Sequence, residues 1–291
     1  MQDTIEIIAN KLSGKGNGAK CLAAAQNYLN ERGIPHRVHV TKAVGHGRAL
    51  AQSLCAEGAR TIAALGGDGT LHEVLNGMDF AAARMGFIPA GRGNDFVKGT
   101  GAASLDPVRA IADIVCGRPR DIDYLQIGDK RCLNVAGTGL DVEVLLKTAQ
   151  SKNKLSYVAS LFRCLLHYKP YRVLVTANGD TQIYDCIMAG VCNGTQIGGG
   201  IRLCPPALAD DGKLNVLVME KPKRVPTVLV MPKFVKGKHM SKPYTHHIVC
   251  DRVRIETPAP VQLDGEIYRN LAFEAHIVPR GLKTFAANAS V

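Results

Sequence analysis

The spacing of apolar residues changes near residue 121, and this change constrains the fold more than any other feature of the sequence. Before it, short apolar runs alternate with stretches of helical period. The run from Thr61 to Leu65, for example, is followed by a helical stripe from Leu71 to Met78. Such alternation predicts a mostly parallel sheet with helices on both faces. We therefore predict a Rossmann-like α/β domain for residues 1–121.

Residues 122–283 follow a different pattern. Strand-like runs succeed one another, separated by turn signals such as Asn178-Gly179-Asp180, and one helix is predicted from about Leu155 to Tyr168. This pattern is typical of an antiparallel β domain. No low-complexity linker joins the two parts, so we expect them to pack closely with a cleft between them.

The charge of the chain limits its partners. Lys and Arg number 36 against 25 Asp and Glu, a net charge of +11, and the basic residues are densest from Lys221 to Lys242. A basic surface attracts nucleic acid, anionic lipid or phosphate-rich small molecules, although a solvated face without a partner has the same composition. Because the chain has no Trp and few aromatic residues in the basic run, we expect no nucleic-acid partner.

The sequence shows neither a membrane-spanning segment nor a secretory signal, and both bear on the cellular compartment of the protein. No apolar run approaches the roughly 18 residues that a membrane span requires, and the segment Met1-Gln2-Asp3-Thr4 lacks the basic and apolar parts of a secretory signal. The nine cysteines are scattered without a C-x-x-C pair, which is typical of reduced thiols and disfavours a disulfide framework or a zinc site. We predict a cytoplasmic protein.

The segment Gly66-Gly67-Asp68-Gly69-Thr70 lies between a predicted strand and a predicted helix. Glycines allow the backbone to approach a ligand, and the N-terminus of the helix offers unpaired N–H groups to a phosphate. A carboxylate such as Asp68 repels phosphate unless a divalent cation lies between them, which favours Mg²⁺. The alternative is a glycine turn in which Asp68 only caps the helix.

Two further loops follow predicted strands on the same side of the sheet. One, Asn10 to Gly16, contains Ser13 and Gly14; the other, Gly91 to Asp95, contains Arg92 and Asn94. Ligands of open α/β sheets bind at the carboxyl ends of the strands, where these loops and Thr41 would converge. The sequence lacks a Walker A segment and a G-x-G-x-x-G segment after a strand, so a different phosphate-binding design is required.

The segment from Gly66 to Gly77, Gly-Gly-Asp-Gly-Thr-Leu-His-Glu-Val-Leu-Asn-Gly, resembles the nucleotide-binding signature of the diacylglycerol kinase catalytic-domain family, which includes soluble bacterial lipid kinases and is related to sphingosine kinases. The resemblance continues in the same order through most of the chain, at Gly91 to Phe96, Asn134 to Gly139, Gly237 to His239 and Leu263 to Glu266. It implies an N-terminal NAD-kinase-like α/β domain, a C-terminal antiparallel β-sandwich, ATP with Mg²⁺, and a last segment, residues 284–291, that returns to the first domain.

The resemblance also implies roles for individual residues. The nucleotide-binding positions are Asn10, Ser13, Gly14, Thr41, Gly66, Gly67, Asp68, Gly69, Thr70, Arg92 and Asn94. Two of the loops depart from the usual pattern, because Lys11 stands where the family has Pro and Arg92 where it has Thr. An arginine removes a hydroxyl contact, but it is able to hold phosphate by charge-assisted hydrogen bonds.

Glu266 matches the residue that the family uses as general base, with Asp68 and Asp264 as further catalytic candidates. From spacing alone, Asp264-Gly265 is an ordinary hairpin turn and Glu266 a solvated strand residue. The segment Pro205 to Leu214 resembles the family's structural metal loop. There, Asp211 and the backbone carbonyls of Leu208 and Lys213 would coordinate Mg²⁺ or Ca²⁺; the alternative is an acidic β-turn.

The resulting hypothesis is an ATP-dependent lipid kinase that phosphorylates a hydroxyl of a diacylglycerol-like lipid at an anionic membrane surface, to which it binds peripherally. Two rivals remain: a NAD kinase-like enzyme acting on a soluble dinucleotide, which carries a similar glycine loop, and a non-catalytic lipid or nucleotide sensor. The lipid that is used and the effects of Lys11 and Arg92 stay open, as do the need for lipid activation and the choice between a monomer and a homodimer.

Overall fold

The structure, a computed structural model, describes residues 3–149, 164, 167–221 and 232–287. Most of the helix predicted from Leu155 to Tyr168, and the middle of the basic run from Lys221 to Lys242, lie outside these residues. The chain divides into two compact units, Met1–Tyr124 with Pro279–Val291, and Leu125–Val278. No helix of the described ranges is long and apolar enough to cross a membrane.

The first unit alternates strands and helices. Its elements are β1 Ile5–Ala9, α1 Ser13–Glu31, β2 His36–Val40, α2 His46–Ala56, β3 Thr61–Gly66, α3 Asp68–Leu75, β4 Arg84–Pro89, α4 Asp95–Thr100 and α5 Pro107–Cys116. The four strands form a parallel sheet in the order β2-β1-β3-β4.

Burial differs between the two edges of this sheet, formed by β2 and β4. The central strands β1 and β3 and the neighbouring β4 are almost wholly buried, as expected for parallel strands covered on both faces, whereas the edge strand β2 is half-exposed. On β1, Ile5, Ile7 and Ala9 point to one face, where they pack with Leu22 of α1 and Ile111 of α5.

The end of the chain belongs to the first unit. The Thr284 hydroxyl donates a hydrogen bond to the Met85 carbonyl oxygen at 2.6 Å, and Phe285 joins the core of this unit. The Asp121 carboxylate accepts hydrogen bonds from Arg84 at 2.9 Å and from Lys283 at 2.8 Å. Residues before and after the second unit are therefore tied together.

Among the residues that the structure describes, the second unit consists mainly of strands. The elements of the second half of the chain are β5 Pro119–Ile127, β6 Lys130–Cys132, β7 Val135–Gly139, α6 Leu140–Ala149, β8 Tyr171–Ala177, β9 Asp180–Cys192, β10 Leu214–Glu220, β11 Thr245–Cys250, β12 Arg252–Glu256, β13 Val261–Leu263, β14 Glu266–Tyr268 and β15 Glu274–Phe285. The strands β5 and β15 contribute residues to both units.

The strands of this half form one antiparallel sheet in the order β14-β13-β7-β9-β8-β12-β15-β5-β6, with β10 between β9 and β11. The long strand β9 pairs with β8 in its first part and with both β7 and β10 in its second part. Alternate residues of β10 enter two apolar cores: Val216 and Val218 face one, and Leu217 and Met219 face the other. The predicted combination of an α/β domain and an antiparallel β domain is confirmed.

Candidate functional site

The loops after β1, β3 and β4 contact one another at the carboxyl edge of the parallel sheet. The Asn10 N–H donates to the Leu65 carbonyl oxygen at 2.9 Å, and the Ala90 N–H donates to the Gly66 carbonyl oxygen at 2.7 Å. The Asn10 amide also donates to the Thr70 hydroxyl at 3.4 Å, which connects the first loop to the start of α3. The structure thus brings together the three loops that the sequence placed at one edge.

Two glycines permit this close approach. A Cβ on Gly91 would lie 2.5 Å from Gly67 Cα, and a Cβ on Gly14 would lie 2.3 Å from the Ala90 carbonyl oxygen. Gly14 also has a φ of +59°, a conformation that disfavours other residues. Beside it, the Ser13 hydroxyl donates to the Asn10 carbonyl oxygen at 2.9 Å, so Ser13 helps to hold the first loop.

The helix α3 begins at Asp68, so the backbone N–H groups of Asp68, Gly69 and Thr70 belong to its first turn. These N–H groups lack partners within the helix, and the helix dipole places partial positive charge there. Gly67 precedes the helix with an extended backbone. The segment Gly66 to Thr70 therefore has the strand–turn–helix geometry that favours a bound phosphate.

The carboxylates of Asp68 and Asp95 both lie beside Gly93. A Cβ on Gly93 would stand 3.0 Å from Asp68 Oδ2 and 3.1 Å from Asp95 Oδ2. Asp68 Oδ1 accepts the Phe96 N–H at 3.4 Å, and Asp95 is buried. Two neighbouring carboxylates form an oxygen donor set of the kind that Mg²⁺ uses together with substrate phosphates, so the residues present fit this ion. The sequence pattern places Asp95 in the loop after β4 but does not predict a role for it.

Asn94 and Arg92 occupy the loop after β4. Asn94 has a left-handed backbone with φ of 51°, and its side chain both accepts from the Gly91 N–H at 3.0 Å and donates to the Gly91 carbonyl oxygen at 3.2 Å. Asn94 therefore holds the shape of the loop. Arg92 is exposed and makes no hydrogen bond or ion pair with other residues of the described ranges, so its guanidinium is available to an anion.

Thr41 and Glu73 define the loop after β2. The Thr41 N–H donates to the Ala9 carbonyl oxygen at 3.0 Å, beside the first glycine loop. The Glu73 carboxylate on α3 accepts the N–H groups of Gly45 at 2.8 Å and Gly47 at 2.9 Å, at the start of α2. The motif from Gly66 to Gly77 included Glu73, but its spacing gave no indication of this contact with another helix.

In the second unit, Asp264 organises a turn. Its carboxylate accepts the N–H groups of Leu133 and Asn134, both at 2.8 Å, and the Cys132 thiol at 3.2 Å. The Asp264 N–H donates to the Val135 carbonyl oxygen at 3.0 Å. Burial, followed by the charge of Asp264, raises the pKa of the Cys132 thiol well above its ordinary value. Asp264 thus joins β13 to β7, and its catalytic role stays a prediction.

Glu266 opens β14 directly after this turn. It pairs with Leu263 across the hairpin, and the Gly265 N–H between them donates to the Gln262 side chain at 2.8 Å. The Glu266 side chain is exposed and forms no hydrogen bond with the residues that the structure describes. A carboxylate presented in this way is accessible to an incoming hydroxyl group.

The predicted metal loop is a polar turn before β10. Asp211 is exposed and its Oδ1 accepts the Lys213 N–H at 2.9 Å, while Leu208 is 57% exposed. Carboxylate and carbonyl oxygens suit a hard cation, but no group of three or more His, Cys, Asp or Glu side chains that could hold a metal occurs in the described ranges. The metal ligands Asp211, Leu208 and Lys213 stay a prediction.

Comparison with known proteins gives two family matches and several relatives. The diacylglycerol kinase catalytic domain matches residues 4–127, and the YegS C-terminal NAD kinase beta sandwich-like domain matches residues 134–286. The chain is 34% identical to the "Probable lipid kinase YegS-like" of Pseudomonas putida over 74% of each chain. It is 26% identical to the diacylglycerol kinase of Bacillus subtilis over 89% of this chain and 88% of that one.

A crystal structure of a diacylglycerol kinase from Bacillus anthracis has a similar fold. The similarity covers 100% of this chain and 98% of that one, with a TM-score of 0.75 and 19% sequence identity. Together with the family matches, it confirms the predicted fold class, a NAD-kinase-like α/β domain followed by an antiparallel β-sandwich domain.

Proposed function

The chain belongs to the diacylglycerol kinase catalytic-domain family, and on this basis we propose that it transfers the γ-phosphate of ATP to a hydroxyl of a diacylglycerol-like lipid. The observation that carries the proposal is the position of Asp68 and Asp95 beside Gly93, where the glycine loops meet. Two carboxylates next to backbone N–H groups that bind phosphate are able to bind a divalent cation together with the phosphates of a nucleotide. The relatives named lipid kinase and diacylglycerol kinase support a lipid acceptor.

ATP binds at the carboxyl edge of the parallel sheet in this proposal. The N–H groups at the start of α3 and in the loops containing Ser13, Gly14 and Asn94 hold the phosphates, with Thr41 beside them. Asp68 and Asp95 would hold Mg²⁺, which when bound would supply positive charge to neutralise the phosphates. The Arg92 guanidinium replaces the usual hydroxyl with a charged contact to phosphate.

Glu266 acts as general base. Its carboxylate accepts the proton of the lipid hydroxyl while the hydroxyl oxygen forms a bond to the γ-phosphorus, and the bond from that phosphorus to the β–γ bridging oxygen breaks to release ADP. The exposure of Glu266 and its position after a fixed turn support this assignment. Asp264 is the residue that positions this turn, through its hydrogen bonds to Leu133 and Asn134. Asp211, with the carbonyls of Leu208 and Lys213, would hold a structural Mg²⁺ or Ca²⁺.

The proposed setting is the cytoplasm, at an anionic membrane surface that the protein contacts peripherally. The net charge of +11 supports attraction to anionic lipid. Within the described part of the basic run, Lys233, Lys236 and Lys238 are exposed. Lipid substrates reside in such surfaces, so a kinase acting on them has to reach the interface.

The test is transfer of labelled γ-phosphate from ATP into a panel of lipids in mixed micelles, with and without Mg²⁺ and with NAD as a parallel acceptor. We expect Mg²⁺-dependent label in a diacylglycerol-like lipid and none in NAD. Label in NAD alone would assign the protein to the rival dinucleotide reaction. Label in no acceptor, with ATP still bound, would support a sensor and contradict the kinase proposal.

A further inference from the structure

Two buried cysteines of the second unit, Cys192 and Cys204, have no part in the proposed reaction. Cys192 is the last residue of β9, and Cys204 follows the loop 193–203. Both are free thiols, both are fully buried, and both belong to the same apolar core as Leu217. A buried free cysteine usually serves as a small apolar side chain, so this pair needs an explanation only if it is arranged for chemistry.

This loop folds back on itself and returns Cys204 to the end of β9. The N–H groups of Ile197 and Ile201 each donate to the carbonyl oxygen of the other at 2.9 Å. The Cys204 N–H donates to the Thr195 carbonyl oxygen at 3.1 Å, which brings Cys204 beside the start of the loop. The thiols of Cys192 and Cys204 hydrogen-bond each other there.

His247 of β11 completes this cluster. Asn215 of β10 pairs with Cys192, and Leu217 of β10 pairs with His247. Because alternate residues of a strand share a face, these four side chains lie on one face of the sheet. His247 Nε2 lies 2.9 Å from Asn215 Oδ1, and the ring hydrogen-bonds the Cys204 thiol. His247 is exposed, so the thiol pair lies one side chain below the surface.

The contact between the two thiols separates their acidities. The hydrogen bond from Cys192, together with that from His247, holds the pKa of Cys204 below its ordinary value, although burial raises it. The hydrogen bond to Cys204 and then burial raise the pKa of Cys192 well above its ordinary value. One member of the pair therefore carries a thiolate, the nucleophilic form of cysteine, while the other keeps its proton. Peroxide-sensitive sites combine such a thiolate with a second thiol nearby.

The loop between the two cysteines has the freedom that a disulfide requires. An S–S bond is about 2.05 Å long, so thiols in hydrogen-bonding contact have to approach each other by about 1–2 Å. Gly198, Gly199 and Gly200 lie in this loop, all with positive φ. Glycines change their backbone conformation at little steric cost, so the loop is able to accommodate the movement.

We propose that Cys192 and Cys204 form a modification site at which a hydroperoxide generates a reversible disulfide. The Cys204 thiolate attacks a peroxide oxygen, the O–O bond breaks, and the departing oxygen takes up the proton that the thiol had lost, which leaves a sulfenic acid. The Cys192 thiol then attacks this sulfur, the S–S bond forms, and the S–O bond breaks to release water with the Cys192 proton. Two thiols are oxidised and one peroxide is reduced. The site goes beyond the proposed function and does not depend on it.

The disulfide would hold the loop beside the Asp264 turn. Asn193, the first residue of the loop, donates its N–H to the Asn134 carbonyl oxygen at 2.8 Å and its side-chain amide to the Leu133 carbonyl oxygen at 2.8 Å. The N–H groups of Leu133 and Asn134 donate in turn to Asp264. A cross-link between the ends of a loop limits its opening, so we expect slower hydrogen exchange at the Asn193 N–H in the oxidised protein.

The test is mass spectrometry of the full chain after titration with hydrogen peroxide, blocking of the remaining thiols and digestion without a reductant. We expect a peptide pair cross-linked through Cys192 and Cys204, formed at least about tenfold faster than the exposed Cys116 is oxidised, because the thiolate is the reactive form. Dithiothreitol should remove the cross-link. Cys116→Ser is the matched control and should form the cross-link at the wild-type rate.

Single variants separate the two thiols. We expect Cys192→Ala to stop at a sulfenic acid on Cys204, which dimedone traps, and Cys204→Ala to leave Cys192 unmodified at the same peroxide concentration. Absence of the cross-link in the wild type at concentrations that oxidise Cys116 completely would overturn the proposal. A cross-link from Cys192 to the neighbouring Cys132 instead would also overturn it. The wild-type measurement requires neither a variant that folds nor kinase activity, so its outcome is separate from that of the proposed function.

Discussion

At the scale of single residues, Asp95 provides the sharpest test of metal binding. Its carboxylate and that of Asp68 meet beside Gly93. We expect Asp95→Asn to raise the Mg²⁺ concentration needed for half-maximal activity by at least about tenfold, because one anionic oxygen donor is replaced by a neutral amide. Magnesium titration of phosphate transfer measures this effect. Asp129→Asn, on an exposed turn of the second unit, is the control and should change nothing.

The buried residue Asp141 is expected to make the free energy of unfolding depend on pH, whatever the protein's function. This residue of α6 is buried, and Gln262 donates to its Oδ2 at 3.1 Å, while its Oδ1 has no hydrogen-bond partner in the described ranges. Burial raises the pKa of Asp141 to about 6, although the hydrogen bond from Gln262 lowers it. The folded protein thus retains this proton at a pH where the unfolded chain has lost it.

Stability should therefore fall as the pH rises from about 4 to about 6 through this group, and stay lower above it. We expect Asp141→Asn to remove that loss, so that its free energy of unfolding at pH 7 exceeds the wild-type value by up to roughly 3 kcal/mol. Urea unfolding at pH 4.5 and pH 7 measures both. The exposed Asp185→Asn is the control, and an equal pH dependence in Asp141→Asn and wild type would contradict the assignment.

The sequence predicted a role for some residues of the candidate site and gave none to others, for physical reasons. Asp68 stood out because glycines on both sides form a local phosphate-binding pattern. Asp95 lies close to Asp68, and Glu73 contacts Gly45 and Gly47. Each of these partners is more than 20 positions away in the sequence, so local spacing does not indicate the contact. Asp264 was predicted as a catalytic helper, whereas its hydrogen bonds to Leu133 and Asn134 follow from a hairpin that only the folded β domain assembles.

At the scale of elements, Glu73 joins α3 to the start of α2. Because its carboxylate accepts the N–H groups of Gly45 and Gly47 at the positive end of a helix, we expect Glu73→Gln to cost about 1 kcal/mol of stability. Thermal unfolding measures the cost, and hydrogen exchange at the two glycine amides should become faster. Glu31→Gln is the control, since Glu31 is exposed beside Arg32. Unchanged exchange at both amides would show that the contact is not important.

The last strand and Asp121 form a second link between elements. Burial alone would raise the pKa of Asp121, but the hydrogen bonds from Lys283 and Arg84 hold it below its ordinary value. A carboxyl of lowered pKa stabilises the fold above its ordinary pKa, and this contribution is lost as the pH falls through the lowered value. The contribution is modest, because these side chains are partly exposed.

We accordingly expect Asp121→Asn to lower the free energy of unfolding by about 1 kcal/mol at pH 7 and by less below pH 4. Denaturant unfolding at the two pH values tests this expectation. Lys283→Met should reproduce part of the loss at pH 7, because it removes one of the two cations. A loss in Asp121→Asn that is the same at both pH values would contradict the role of the ionised carboxylate.

The elements themselves were predictable to different degrees. Strands such as β1 and β3 are continuous apolar runs, and their parallel pairing follows from the helices between them. The six-residue helix α4 was not predicted, because it is too short to show a helical period. The left-handed backbone of Gly14, Lys15 and Gly16 interrupts α1 near its start, and Gly14 lies there against the Ala90 carbonyl oxygen, a contact that the sequence does not indicate.

At the scale of the whole molecule, the change of pattern near residue 121 was sufficient to predict an α/β part and an antiparallel β part. The order of strands in the β part was not predictable, because β9 pairs with three other strands and β10 pairs with β11, which is distant in the sequence. Local turn signals identify hairpins but do not select such distant partners. The proposed domain boundaries, which divide the chain into residues 1–121, 122–283 and 284–291, stay a prediction.

We propose that Glu266 accepts the hydroxyl proton in ATP-dependent phosphorylation of a lipid. The most direct test of this proposal is transfer of labelled phosphate into diacylglycerol micelles by wild type and by Glu266→Gln, with ATP binding measured on the same preparations. We expect labelled lipid from the wild type, a loss of at least about 100-fold in rate for Glu266→Gln, and unchanged ATP affinity. A wild-type rate in Glu266→Gln would contradict the account.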